Sequence, residues 1–169
     1  MEANIVQDID SHIERADERT IQAQVQELMC YIWDNYLQIF DGVEEIFLMG
    51  VGNAYLGVKV LLINRNVKQR IAGVINFVDG NPLRPVKSDT DEQLSSWYKD
   101  NSRVYVAENH ACWADADLTR KVMKRRFGTV IRSHANGLTR IMNEHATDAQ
   151  QWIMERCEMG TDGEEEMLV

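Results

Sequence analysis

The stretch Glu45-Ile46-Phe47-Leu48-Met49-Gly50-Val51-Gly52-Asn53-Ala54-Tyr55-Leu56-Gly57 limits what this chain can fold into more than any other. Its first residues form an apolar run without the alternation of a half-exposed strand. That predicts a strand buried on both faces, as in a parallel sheet. Gly-x-Gly-x-Ala follows at once, and a helical pattern begins there. Enzymes use such a sharp strand-to-helix turn, with the sequence Gly-x-Ser-x-Gly, to lift a nucleophilic serine into the active site. Here the apex is Gly52, which has no side chain to attack anything. A turn kept without its chemistry points to a scaffold used for binding.

The segments around the turn alternate in kind. Before it, Ile21, Val25, Leu28, Met29, Ile32 and Tyr36 fall on one face of a helix over 21–39, which Asp41-Gly42 would end. After it, Val58, Leu61 and Leu62 extend a helix to about Asn64. Apolar, β-branched runs at 71–78, 104–107 and 128–131 predict three further strands. Helical patterns at 90–99, 117–126 and 137–157 separate or follow them. The last of these carries an apolar stripe of Leu138, Ile141, Met142, His145, Ala149, Trp152 and Ile153. Alternation of this kind predicts an α/β fold: a mostly parallel sheet, helices on both faces and right-handed crossovers. Function in such sheets sits beyond the carboxyl ends of the strands, here the loops 50–55, 79–86, 108–116 and 132–137. The architecture is α/β-hydrolase-like. The expectation is a partial core of that fold, because only a helical region precedes the elbow strand and the sheet would start with an exposed edge. Residues 1–19 read as a polar segment with a short helix opening at Ser11 and Glu14. Residues 20–157 read as the domain, and the acidic 158–169, which lack periodicity, as a disordered tail.

Composition narrows the function classes. A chain of 169 residues with 44% hydrophobic content fills one core. A formal charge of −9 argues against direct nucleic-acid binding and suits a basic partner such as a histone. Cys30, Cys112 and Cys157 show no disulfide-framework spacing, which predicts a reducing compartment. With no signal-like apolar segment at the N-terminus and no run long enough to span a bilayer, the expectation is a nuclear or cytosolic soluble protein without a membrane partner.

The strand ends can be read as chemistry. Hydrolases of this fold order their triad as nucleophile, acid, histidine. Gly52 stands at the first position, Glu108 and His134 at the second and third, which makes a degenerate triad; the competing and preferred reading is that both are ordinary loop residues. Without a nucleophile the covalent route is closed in either case. Gly50, Gly52 and Gly57 match neither dinucleotide nor P-loop spacing, and close packing explains them better than phosphate binding. His110 and Cys112 lack a second ligand pair for zinc, so no metal or cofactor is assigned. The basic cluster Arg120, Lys121, Lys124, Arg125 and Arg126 reads as a solvated helix face before it reads as an anion site. Trp33, Trp97 and Trp152 read as core, whereas Trp113, in a polar loop, is a contact candidate. The remaining cleft candidates are Gly50, Asn53, Tyr55, Asp79, Asn81 and His110.

The run Glu45 to Gly57, the strand Val74-Ile75-Asn76-Phe77-Val78 with Asp79, Asn81 and Pro82, and Arg126-Phe127-Gly128 together resemble the Argonaute-binding-protein-two domain over roughly residues 20–157. That α/β-hydrolase-like domain forms the C-terminal part of fungal class II histone deacetylases and also occurs alone in an RNA-interference accessory protein. The resemblance implies a nuclear module for dimerisation and histone or chromatin binding, attached to a deacetylase that acts in silencing. It also implies a family domain larger on its N-terminal side, whose strands would cover the exposed elbow strand. The zinc-binding Asp and His set of a deacetylase has no counterpart here, so no catalytic residue carries over. The resulting expectation is a non-catalytic interaction module that forms a homodimer, or is completed by another segment, through an edge strand or the outer helices. The alternatives are a small hydrolase or ligand-binding pseudo-enzyme using Glu108 and His134, and an RNA-interference or co-transcriptional accessory protein of the same fold.

Overall fold

Strands β1 (Ile46–Val51), β2 (Ile71–Val78), β3 (Ser102–Val106) and β4 (Thr129–Arg132) form one parallel sheet in the order β1-β2-β3-β4. A computed structural model describes residues 18–39 and 45–165. Helices α2 (Ala54–Asn64), α3 (Leu94–Asp100) and α4 (Arg120–Phe127) make the successive crossovers. Each crossover advances one strand in the same direction, so a single handedness sends all three helices to one face. The buried residues agree with this. Leu48, Val74, Val78, Val104 and Val106 meet α2–α4 on one face, while Ile75, Phe77 and Tyr105 meet α5 (Leu138–Glu165) on the other. Helix α1 (Glu18–Ile32) packs on the outside of α2.

Local chemistry explains where these elements depart from expectation. Helix α1 ends in a π-helical turn, Trp33–Leu37, closed by the Gln38 N–H donating to Trp33 O at 2.9 Å. The wider turn accompanies a Trp33 ring buried in the core. Helix α3 starts at Leu94 rather than near residue 90, because the Asp91 carboxylate accepts from Gln93 N–H at 3.1 Å in a turn that precedes it. Thr119 caps α4, its hydroxyl accepting from Val122 N–H at 3.4 Å. A 3₁₀ turn at Ala111–Trp113 was not expected. Helix α5 runs to Glu165, so the end placed near residue 157 and the structureless tail from residue 158 are corrected that far. An established helix continues readily through residues such as Glu and Met, and each glycine costs only about 1 kcal/mol. Ser11, Glu14 and Asp41-Gly42 lie outside the described residues, as do 166–169.

Among the described residues β1 forms one edge of the sheet, as the order of elements led us to expect, and Met49 on it is exposed. A polar network ties α5 to β3: the Tyr105 hydroxyl donates to Asp148 Oδ2 at 2.6 Å and Arg103 Nη1 reaches the same oxygen at 2.7 Å. The hydrogen bond from the Tyr105 hydroxyl, together with the Arg103 guanidinium, holds the Asp148 carboxyl below its ordinary value. Ser133 does the same for Glu144. A lowered folded-state pKa adds stability above the unfolded value, and that stability disappears as pH falls through the folded value. The melting temperature should therefore fall as pH drops below ~4, where unfolded carboxylates begin to protonate. In Asp148→Asn the fall should be shallower, because one linked group is gone. Parallel curves for the two proteins, measured by circular dichroism, would remove Asp148 from this account.

Candidate functional site

The elbow has the backbone its sequence requires. Gly52 carries φ 59°, a left-handed conformation that glycine adopts without steric cost. Its N–H donates to Phe77 O at 2.9 Å and its carbonyl accepts from Tyr55 N–H at 3.1 Å. A Cβ at this position would lie 2.8 Å from Leu138 Cδ1, so the first residue of α5 sits where a nucleophile's side chain would project. Gly50 serves a different purpose. A Cβ there would run into Asn76 Oδ1 and stand 3.1 Å from Tyr55 Cα and 3.2 Å from Ala54 O. The small residues of Gly-x-Gly-x-Ala thus let the first turn of α2 fold back over the end of β1.

The other two triad positions are not assembled. Glu108 follows β3, is exposed, and bonds through its backbone N–H to Ala135 O at 3.1 Å. His134 follows β4, is also exposed, and donates its backbone N–H to both Glu144 carboxylate oxygens at 3.1 Å. No hydrogen bond joins the Glu108 and His134 side chains among the described residues. The carboxylate that approaches the 133–134 loop is Glu144, from the second turn of α5, and it is occupied with the buried Ser133 hydroxyl. That pairing is held by two backbone N–H bonds and reads as a loop anchor.

The cleft candidates divide by how they are used. Asn53 Oδ1 accepts from Asn81 Nδ2 at 2.9 Å, which ties the elbow to the loop after β2. Tyr55 is 2% exposed; its hydroxyl donates to Arg84 O at 3.0 Å and accepts from Arg84 N–H at 2.9 Å. It clamps the 79–86 loop onto α2 and is buried there. Asp79 and His110 share the wall of a cleft of about 620 Å³ with Pro82, Asn109, Asp115 and Arg126. The His110 ring is already spent: Nδ1 accepts from Cys112 N–H at 3.0 Å, so Nε2 carries the hydrogen it donates to Asn81 O at 2.9 Å. Burial pushes the Cys112 thiol up to about 11, which keeps it protonated and unreactive. Among the described residues no group of three His, Cys, Asp or Glu side chains is placed to hold a metal ion. Trp113 lies apart from this cleft, its Nε1–H donating to Ala107 O at 2.7 Å, and it lines a second groove beside β4. Leu138 and Arg126 were missed as site residues. Leu138 read only as the start of an apolar helix stripe, and Arg126 as one cation in a run.

The fold and elbow define an α/β-hydrolase-like domain whose apex holds no nucleophile. The sequence profile of the Arb2-like domain matches residues 1–160, and the chain belongs to that family. It is 36% identical over 139 residues to the histone deacetylase HDA1 of Saccharomyces cerevisiae, covering 82% of this chain and 19% of that protein. The histone deacetylase clr3 of Schizosaccharomyces pombe is 33% identical over 134 residues, covering 79% of this chain and 19% of the relative. A solved histone deacetylase structure from Saccharomyces cerevisiae superimposes with a TM-score of 0.73 at 32% identity, over 86% of this chain and 56% of the other. The chain therefore spans about a fifth of the length of the two deacetylases it matches in sequence.

Proposed function

We propose that this domain is a non-catalytic interaction module of a histone deacetylase, that it binds histones or other chromatin proteins in the nucleus, and that it works as a homodimer in transcriptional silencing. The observation that carries this reading is the elbow: Gly52 has no nucleophile, Leu138 covers it, and Glu108 and His134 are not linked. Three features support it. The relatives it matches are named histone deacetylases. The net charge of −9 favours a basic partner. The β1 edge offers a surface for a second chain. No helix among the described residues is long and apolar enough to cross a membrane.

The histone test is a titration of histone dimers against the chain and against a version lacking 158–169, each at two salt concentrations. Binding should weaken steeply with salt, because exposed charges are screened beyond ~8 Å at physiological ionic strength. Truncation should slow association more than it speeds dissociation. Absent binding at low salt, or equal affinity in all four measurements, would leave the reading without support.

Catalysis gives a separate test. The chain should turn over neither esters nor acetyl-lysine, and Gly52→Ser should not create an esterase, because Glu108 and His134, at the two other triad positions, are not linked to each other and so cannot act together on the new hydroxyl. Ester turnover by Gly52→Ser above the wild-type background would revive the pseudo-enzyme alternative, to which the 620 Å³ cleft would then belong.

A further inference from the structure

The molecule's charge is unevenly placed. Against a net −9, the groove of about 540 Å³ between α4 and β4 is lined by Arg120, Lys124 and Arg132 and by no carboxylate. Trp113, Met123 and Val130 supply its apolar part. Its walls are fixed. The Trp113 indole is bonded to Ala107 O at 2.7 Å, and the Arg132 guanidinium lies 5.4 Å from the Trp113 ring centre while donating to Glu108 O at 3.2 Å. Arg120 and Lys124 are exposed and have no ion-pair partner among the described residues.

The groove runs beside an open sheet edge. β4 pairs with β3 alone among the described residues. The Ser133 N–H donates inward to Val106 O at 2.8 Å, so alternation along a strand points the N–H and C=O of Ile131 inward and those of Val130 and Arg132 outward. The side chains of Val130 and Arg132 lie on the groove's side of the sheet. A chain paired to this edge would therefore bond to Val130 and Arg132 and drop every second side chain into the groove.

We propose that the β4 edge and the α4 groove together bind an extended acidic peptide of another protein, of the pattern Glu-x-Leu-x-Glu, by strand addition. Alternate side chains stand about 6.8 Å apart, twice the rise per strand residue. The central apolar residue rests on Trp113, Met123 and Val130, and the flanking carboxylates face Lys124, Arg120 and Arg132. The outward amides of β4 favour a peptide over a nucleic acid, which cannot complete a strand ladder. The proposal stands apart from histone binding, since histones are basic and this surface is too.

The probe is a fluorescein-labelled peptide, Ser-Thr-Glu-Thr-Leu-Thr-Glu-Thr-Ser, titrated into the chain at low salt and followed by anisotropy. Saturable binding is expected, with the amide resonances of Val130 and Arg132 shifting on titration. Affinity should drop about tenfold in Arg120→Glu/Lys124→Glu, with circular dichroism unchanged because both side chains are exposed. The neutral pair Arg120→Gln/Lys124→Gln should lose less. A peptide with Gln for Glu, one with Ser for Leu, and one methylated on the main-chain nitrogens facing β4 should each bind more weakly. Any of four results would overturn the proposal: no binding, an undiminished charge-reversed variant, equal binding of the N-methylated peptide, or tighter binding of a single-stranded oligothymidine of matched charge.

Discussion

Gly50→Val should prevent the domain from folding stably, while Gly52→Ser should leave it folded. At Gly50 even a methyl group would meet Asn76 Oδ1, Tyr55 Cα at 3.1 Å and Ala54 O at 3.2 Å, and two of these three obstacles are main-chain atoms of α2. They cannot swing aside, so the helix must lift off the end of β1. Overpacking of this kind costs about 3 kcal/mol or more, a loss of roughly 6–12 °C in melting temperature for a domain of this size. At Gly52 the obstacle is Leu138 Cδ1 at 2.8 Å, the flexible end of a side chain. The remaining penalty is the left-handed backbone, about 1–3 kcal/mol, with Gly52→Val at the upper end and Gly52→Ser at the lower. Thermal melts of the three variants check the order. If Gly50→Val melts at or above Gly52→Ser, the close approach of α2 to β1 is not what fixes Gly50.

That contrast also marks how far the sequence could be read. The elbow at Gly52 and the alternation of strands and helices were legible because they follow from local chemistry: an unalternating apolar run and small residues at fixed spacing. What Gly50 faces was not legible, because Asn76 lies on the neighbouring strand and only the β1–β2 register brings it there. Leu138 was hidden in the same way, assigned to a helix face but not to the space above Gly52. The weighing of Glu108 and His134 rested on their order along the chain, and order cannot report that Glu144, a helix residue, takes the position beside the 133–134 loop. The basic run 120–126 was visible as charge; that its Arg120 and Lys124 share a groove with Trp113 beside β4, an edge among the described residues, needed the fold.

Trp152→Ala should cost about 3–5 kcal/mol, the largest loss expected from any single truncation on α5. Trp152 is 9% exposed and closes the sheet face that α5 covers alone among the described residues. Its ring meets Phe47 edge to face at 6.3 Å between centres, and the guanidinium groups of Arg103 and Arg156 lie 5.5 Å and 5.0 Å from its own. The ring approaches so closely because residue 73 is glycine: a Cβ there would stand 2.8 Å from Trp152 Cη2 and 2.9 Å from Phe47 Cε1. Gly73→Ala should therefore destabilise the wild type and do so less in the Trp152→Ala background, where the vacated space admits the methyl group. The two should couple by about 0.5–3 kcal/mol. Met154→Ala, at an exposed position on the same helix, should stay within about 0.5 kcal/mol of wild type. Chemical denaturation of the four proteins of the cycle measures the coupling. Strictly additive losses would mean that Trp152 and Gly73 act separately, and that something other than their contact seats α5 on the sheet and Leu138 over the elbow.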